Sequence, residues 1–140
     1  MRKKCRRVVR EAIAPTLVAF YLSPEVEITE RLAVLSLSSG TAEPTHFNRL
    51  LDVADALLLA ATEQRDGEVI EIAHMGRLAL ANVSDRYRMT GRLGVTGEEK
   101  KALEVLVDIN IDFWSRQSGA LFVQADRALT KFRAAQGEAC

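Results

Sequence analysis

Asp52 and Asp55 stand three residues apart in an otherwise apolar stretch, a spacing that sets both carboxylates on neighbouring positions of one helix. Two close carboxylates split their pKa values and divide acid and base work, so with His46 or His74 as proton carrier they outline a small enzyme. The structural reading is preferred. A half-buried acid in a helical protein needs a partner whatever the function, and Arg77, Arg86 or a tyrosine hydroxyl would pair Asp55 while Asp52 faces water. Neither histidine lies in a His-Glu-x-x-His arrangement, so no metal and no cofactor is expected, and His46 and His74 read as first-turn and surface residues. Cys5 and Cys140 are too few for a disulfide framework or a four-cysteine zinc site.

The second chemistry on offer is anion binding. Arg2, Lys3, Lys4, Arg6, Arg7 and Arg10 put six positive charges and no negative one into the first ten residues. The following residues hold thirteen Lys/Arg against nineteen Asp/Glu, a basic arm on an acidic body within a chain of zero net charge. Such an arm attracts nucleic acid, an anionic membrane surface or an acidic partner through a salt-sensitive term. Arg86, Arg88 and Arg92 flank the glycine-rich stretch Gly91 to Gly97 and form a second basic group. The stretch is no phosphate-cradling Walker loop: it holds no Lys-Ser/Thr pair, and Glu98 and Glu99 open the following helix, where they repel an anion. Direct readout of a DNA groove fares poorly as well. The segment after the Ser38-Ser39-Gly40-Thr41 turn is too apolar for a recognition helix.

These side chains have to be positioned by helices, since the apolar periodicity is helical and no alternating strand pattern or repeat occurs. Ser23-Pro24-Glu25 is a helix start, and the helix should stop at Gly40, with Ile28, Leu32, Leu35 and Val34 facing inward. The next begins at Pro44-Thr45 and is apolar nearly all round, which predicts a central position. A third follows the Arg65-Asp66-Gly67 turn with the stripe Val69, Ile72, Ala73, Gly76, Leu80, Val83 and Tyr87, where Ala73 and Gly76 admit close approach by a neighbour. Thr96-Gly97-Glu98-Glu99 is a capping box. The helix behind it carries Leu103, Leu106, Val107, Asn110, Phe113 and Trp114 on one face, with Asn110 a buried amide that fixes register. After a break at Gln117-Ser118-Gly119 the stripe resumes with Leu121, Phe122, Ala125, Ala128, Leu129 and Phe132.

With 140 residues, 48% of them hydrophobic and 27% charged, the chain has room for one core and does not read as collagen-like or wholly disordered. The fold expected is all-α: a four- to five-helix antiparallel bundle over 11–136, with a basic N-terminal arm at 1–10 and a short disordered tail at 137–140. The run Ala12 to Leu22 copies the outline of a secretory signal. Glu11, Pro15 and the missing cleavage site argue instead for the first buried segment of a cytoplasmic protein without a membrane span. Val105, Ile109, Ile70, Met75 and Leu78 are apolar positions off the stripes and leave a face for a second subunit or another protein.

The turn Arg88-Met89-Thr90-Gly91-Arg92-Leu93-Gly94 before an acidic-capped helix, with Leu51 to Ala60 ahead of it, resembles short, basic-armed helical proteins of proteobacterial phages and plasmids. Leu93 stands where that group has an aromatic residue. The resemblance implies a genomic setting and brings no activity or site residue with it. The function expected is a non-catalytic accessory or regulatory binding protein of a mobile genetic element, contacting a protein partner or nucleic acid through the arm and Arg86, Arg88 and Arg92, with Asp55 and Asn110 as structural polar groups in the core. The alternatives are a phage-type stoichiometric inhibitor of a host enzyme or defence complex, and the small enzyme outlined above.

Overall fold

The computed structural model describes residues 24–117 and 119–135, so the arm, the Ala12 to Leu22 run, the Ser23 cap and the 137–140 tail lie outside the described residues. Five helices follow one another: α1 Pro24–Ser39, α2 Pro44–Gln64, α3 Gly67–Thr90, α4 Gly97–Ser115 and α5 Gly119–Ala135. Each begins and ends for a local reason. Prolines open α1 and α2, where a missing N–H costs nothing. Asp66 caps α3 by accepting the Val69 N–H, and Gly91 closes it in the left-handed conformation at φ 71°. Gly40 closes α1 in the same way at φ 76°, whereas α2 ends on Arg65, a non-glycine residue at φ 53°.

The helices form an all-α bundle, and α3 and α4 run antiparallel. Gly76 of α3 meets Leu106 of α4, and nearer the other end Arg86 meets Glu99. α1 closes the ring on α4 in the same sense, since Glu30 lies beside Asn110 and Leu37 lies by Gly94. α2 touches all four other helices, and α5 packs along it. Leu50, Val53, Ala54, Leu57, Ala60 and Ala61 of α2 are buried, which is the central placement expected from its sequence.

Three expectations are corrected. Ile28, Leu32 and Leu35 are 56%, 51% and 56% exposed, and α1 turns Val26, Glu30, Ala33, Val34 and Leu37 inward instead. Both sides of α1 are apolar, and the buried one has the smaller side chains, which fit the narrow space against α2 and α4. Tyr87, in the last turn of α3, is 41% exposed and lies outside the buried core. Phe132 is half exposed, with Leu121, Ala125 and Leu129 alone forming the buried edge of α5 among the stripe residues described.

At Gly76 a Cβ would stand 2.9 Å from the Leu106 Cδ2. Leu106 is fully buried, so it has little room to yield. Gly76→Val should therefore lower stability by about 1–3 kcal/mol despite removing a helical glycine. The midpoint of urea unfolding reads this directly.

Candidate functional site

Two polar clusters organise the interior, and neither is the carboxylate pair. The first begins with the Thr96 hydroxyl, which accepts the Glu99 N–H at 3.2 Å, while the Glu99 Oε1 accepts the Thr96 N–H at 2.9 Å. This is the capping box expected from the sequence. The other Glu99 oxygen accepts from the Arg86 Nη2 at 2.6 Å, and Arg86 Nη1 donates to the Gly94 carbonyl at 3.0 Å. Arg86 thus ties α3, the 91–96 connection and the start of α4 together. Burial pushes the Glu99 carboxyl up, but the Arg86 and Thr96 bonds outweigh it and hold the group below its ordinary value. The stability it adds is present at neutral pH and is lost as pH falls through that lowered value.

The second cluster is a polar chain deep between α1 and α4. The Trp114 Nε1 donates to the Asn110 Oδ1 at 3.0 Å, and the Asn110 Nδ2 reaches the Glu30 Oε2 at 3.5 Å. Glu30 is only 1% exposed, and its Oε1 has no hydrogen-bond partner among the described residues. Burial pushes its carboxyl up to about 7, against the opposing pull of Arg49 from α2, the Asn110 amide and Arg31. Glu27 adds a smaller push in the same direction as burial.

The residues singled out by sequence fall in different places. Asn110 is fully buried, in the structural role expected of it. Asp55 pairs with the Arg77 Nε at 2.9 Å, one of the partners anticipated. Asp52 is half-buried rather than turned to open water, a correction that follows from helices packing round α2 on every side. The His46 Nδ1 accepts the Glu43 N–H at 2.9 Å at the start of α2, and His74 is exposed on α3. Of the three arginines, Arg86 is spent inside the fold, Arg88 is exposed and paired with Asp85, and Arg92 is exposed. Arg2, Lys3, Lys4, Arg6, Arg7 and Arg10 lie outside the described residues.

Sequence reasoning missed Glu30; of the exposed apolar residues on α3 it marked Met75 and Leu78 as off-stripe positions and missed Met89. Met75, Leu78 and Met89 share one outer side of that helix with Asn82, and Leu78 is 63% exposed. Among the described residues there is no group of three or more His, Cys, Asp or Glu that could hold a metal ion, and no helix long and apolar enough to cross a membrane. Comparison with known proteins yields no matching family model, no matching curated protein and no matching solved structure.

Two outcomes are expected. Glu30 binds its proton more tightly folded than unfolded, so its favourable contribution is full below pH 4.5 and is lost as pH rises through about 7. Glu30→Gln should raise stability above pH 7 by up to about 3 kcal/mol and remove the slope between those limits, as read from urea midpoints at pH 5 and pH 8. Arg86→Met removes the donor to the Gly94 carbonyl and leaves the Glu99 Oε2 without its cation, and should cost about 1–2 kcal/mol at pH 7. That cost should shrink as pH falls through the lowered Glu99 value and the carboxylate takes up a proton.

Proposed function

We propose that this chain is a non-catalytic accessory or regulatory binding protein that works by contacting a protein partner or nucleic acid. The observation that carries the reading is the outer side of α3. Met75, Leu78 and Met89 form an exposed apolar line along a helix whose opposite side is buried. Methionines in such a line adapt to a partner's surface, since the unbranched thioether side chain has several rotatable bonds. Arg88 in the last turn of α3 and Arg92 just beyond it are exposed and add charge that steers an acidic partner. The basic run Arg2 to Arg10 supplies the nucleic-acid side of the proposal. The setting in a mobile genetic element rests on the resemblance of the Arg88 to Gly94 turn alone.

The first test is titration of fluorescent duplex and single-stranded DNA at low and near-physiological salt, with the mass in solution measured alongside. Six arm charges on phosphate predict a loss of about 10³-fold in affinity between 50 and 200 mM salt. Deleting residues 2–10 should abolish that binding and leave the thermal midpoint in place. Leu78→Lys should change stability by less than about 0.5 kcal/mol, since the site is exposed, yet abolish self-association or co-purification with the partner. A chain that binds no DNA, and whose associations Leu78→Lys leaves untouched, would sink the reading.

A further inference from the structure

The exposed side of α3 carries acids at its start and arginines at its end. Met75 and Leu78 are more than half exposed and Met89 is almost fully so, with Asn82 between them at helical spacing. Glu71 lies four residues before Met75, on the same line, and Glu68 stands in the first turn. At the far end Arg88 adjoins Met89 in the last turn, and Arg92 follows just beyond the helix. All four charged side chains are exposed. Glu68, Glu71 and Arg92 make no ion pair among the described residues, and Arg88 pairs with Asp85 of its own helix.

We propose that α3 packs against α3 of a second copy of this chain, the two helices antiparallel about a two-fold axis that passes between Leu78 and Asn82. The proposal rests on the binding role argued above for the same line and names its partner. A two-fold axis across a helix sets the start of one copy beside the end of the other. Glu71 then faces the partner's Arg88 and Glu68 faces the partner's Arg92, and each pairing occurs twice. Near the axis Leu78 lies against the partner's Asn82, so the two leucines are covered together. The helix dipoles favour the same arrangement, because each N-terminal end meets a C-terminal one. A parallel pair would instead set acid beside acid and arginine beside arginine. An unrelated acidic partner laid along α3 would meet Arg88 and Arg92 but be repelled by Glu68 and Glu71, so the mixed ends select against it.

Sedimentation velocity on the full chain, at near-physiological salt and without DNA, tests the pairing. The wild type should be a dimer at ~50 μM. Leu78→Lys, Glu71→Arg and Arg88→Glu should each weaken dimerisation at least about tenfold. An equimolar mixture of Glu71→Arg and Arg88→Glu should restore it to within about threefold of the wild type, since every reversed charge then meets its opposite across the axis. Far-ultraviolet circular dichroism checks that each variant keeps its helix content, and Leu78→Ser replaces Leu78→Lys if that one does not. A monomeric wild type overturns the proposal, as does a dimer indifferent to Leu78→Lys or a mixture no tighter than its components. A monomer that loses another protein partner on Leu78→Lys overturns self-pairing and leaves the binding role standing. A monomer that binds no DNA and is unaffected by Leu78→Lys removes both.

Discussion

A helix with hardly any polar side has to be surrounded, and α2 imposes that requirement on everything else in this chain. Between Val53 and Ala61 its one charged residue is Asp55, and that charge is matched by Arg77 from the helix beside it. Four helices share the covering of α2, two through short connections at its own ends and two from farther along the sequence. Short connections leave antiparallel neighbours as the simple solution. The remaining contacts make the ring specific: Gly76 lets α4 approach α3 closely, and the Arg86 to Glu99 tie sets where α4 begins.

Much of this was legible in the sequence, because caps and turns are local. Gly40, Asp66, Gly91 and the Thr96 to Glu99 box mark boundaries through residue types whose backbone or side-chain chemistry leaves few alternatives. The buried face of α4 was legible too, since its apolar positions cluster on one side. α1 was not, because choosing the stripe with the larger side chains, Ile28, Leu32 and Leu35, is reasonable only when the other side is polar. The other side held Val26, Ala33, Val34 and Leu37 beside Glu30, and of these only Val34 was expected to face inward. Which of two apolar sides turns inward depends on the shape of the space left by α2 and α4, and one helix's periodicity does not contain that information.

The candidate sites show the same division. Asn110 was recognisable as a buried amide because apolar residues bracket it on its own helix, whereas its partner Glu30 is contributed by a helix far away in sequence. The signal for Glu30 was its spacing from Val26, Ala33, Val34 and Leu37, and it becomes readable once that side is known to be internal. Arginine clusters are ambiguous for a related reason. Arg86, Arg88 and Arg92 are close in sequence, yet a guanidinium that finds a carboxylate and a carbonyl inside the fold is no longer offered to a ligand, and Arg86 finds both.

Eighty residues separate Glu30 from Asn110, and that interval has a meaning on the ribosome. At synthesis rates of about 5–20 residues per second, α1 is made roughly 4–16 s before the helix that receives its acid. Through that interval Glu30 remains hydrated and ionised, so α1 has no completed seat on the growing chain. The α2 and α3 pair, whose contacts with each other are close in sequence, is free to assemble before α4 exists, and the seat of Glu30 is completed only when α4 emerges and brings Asn110 beside it.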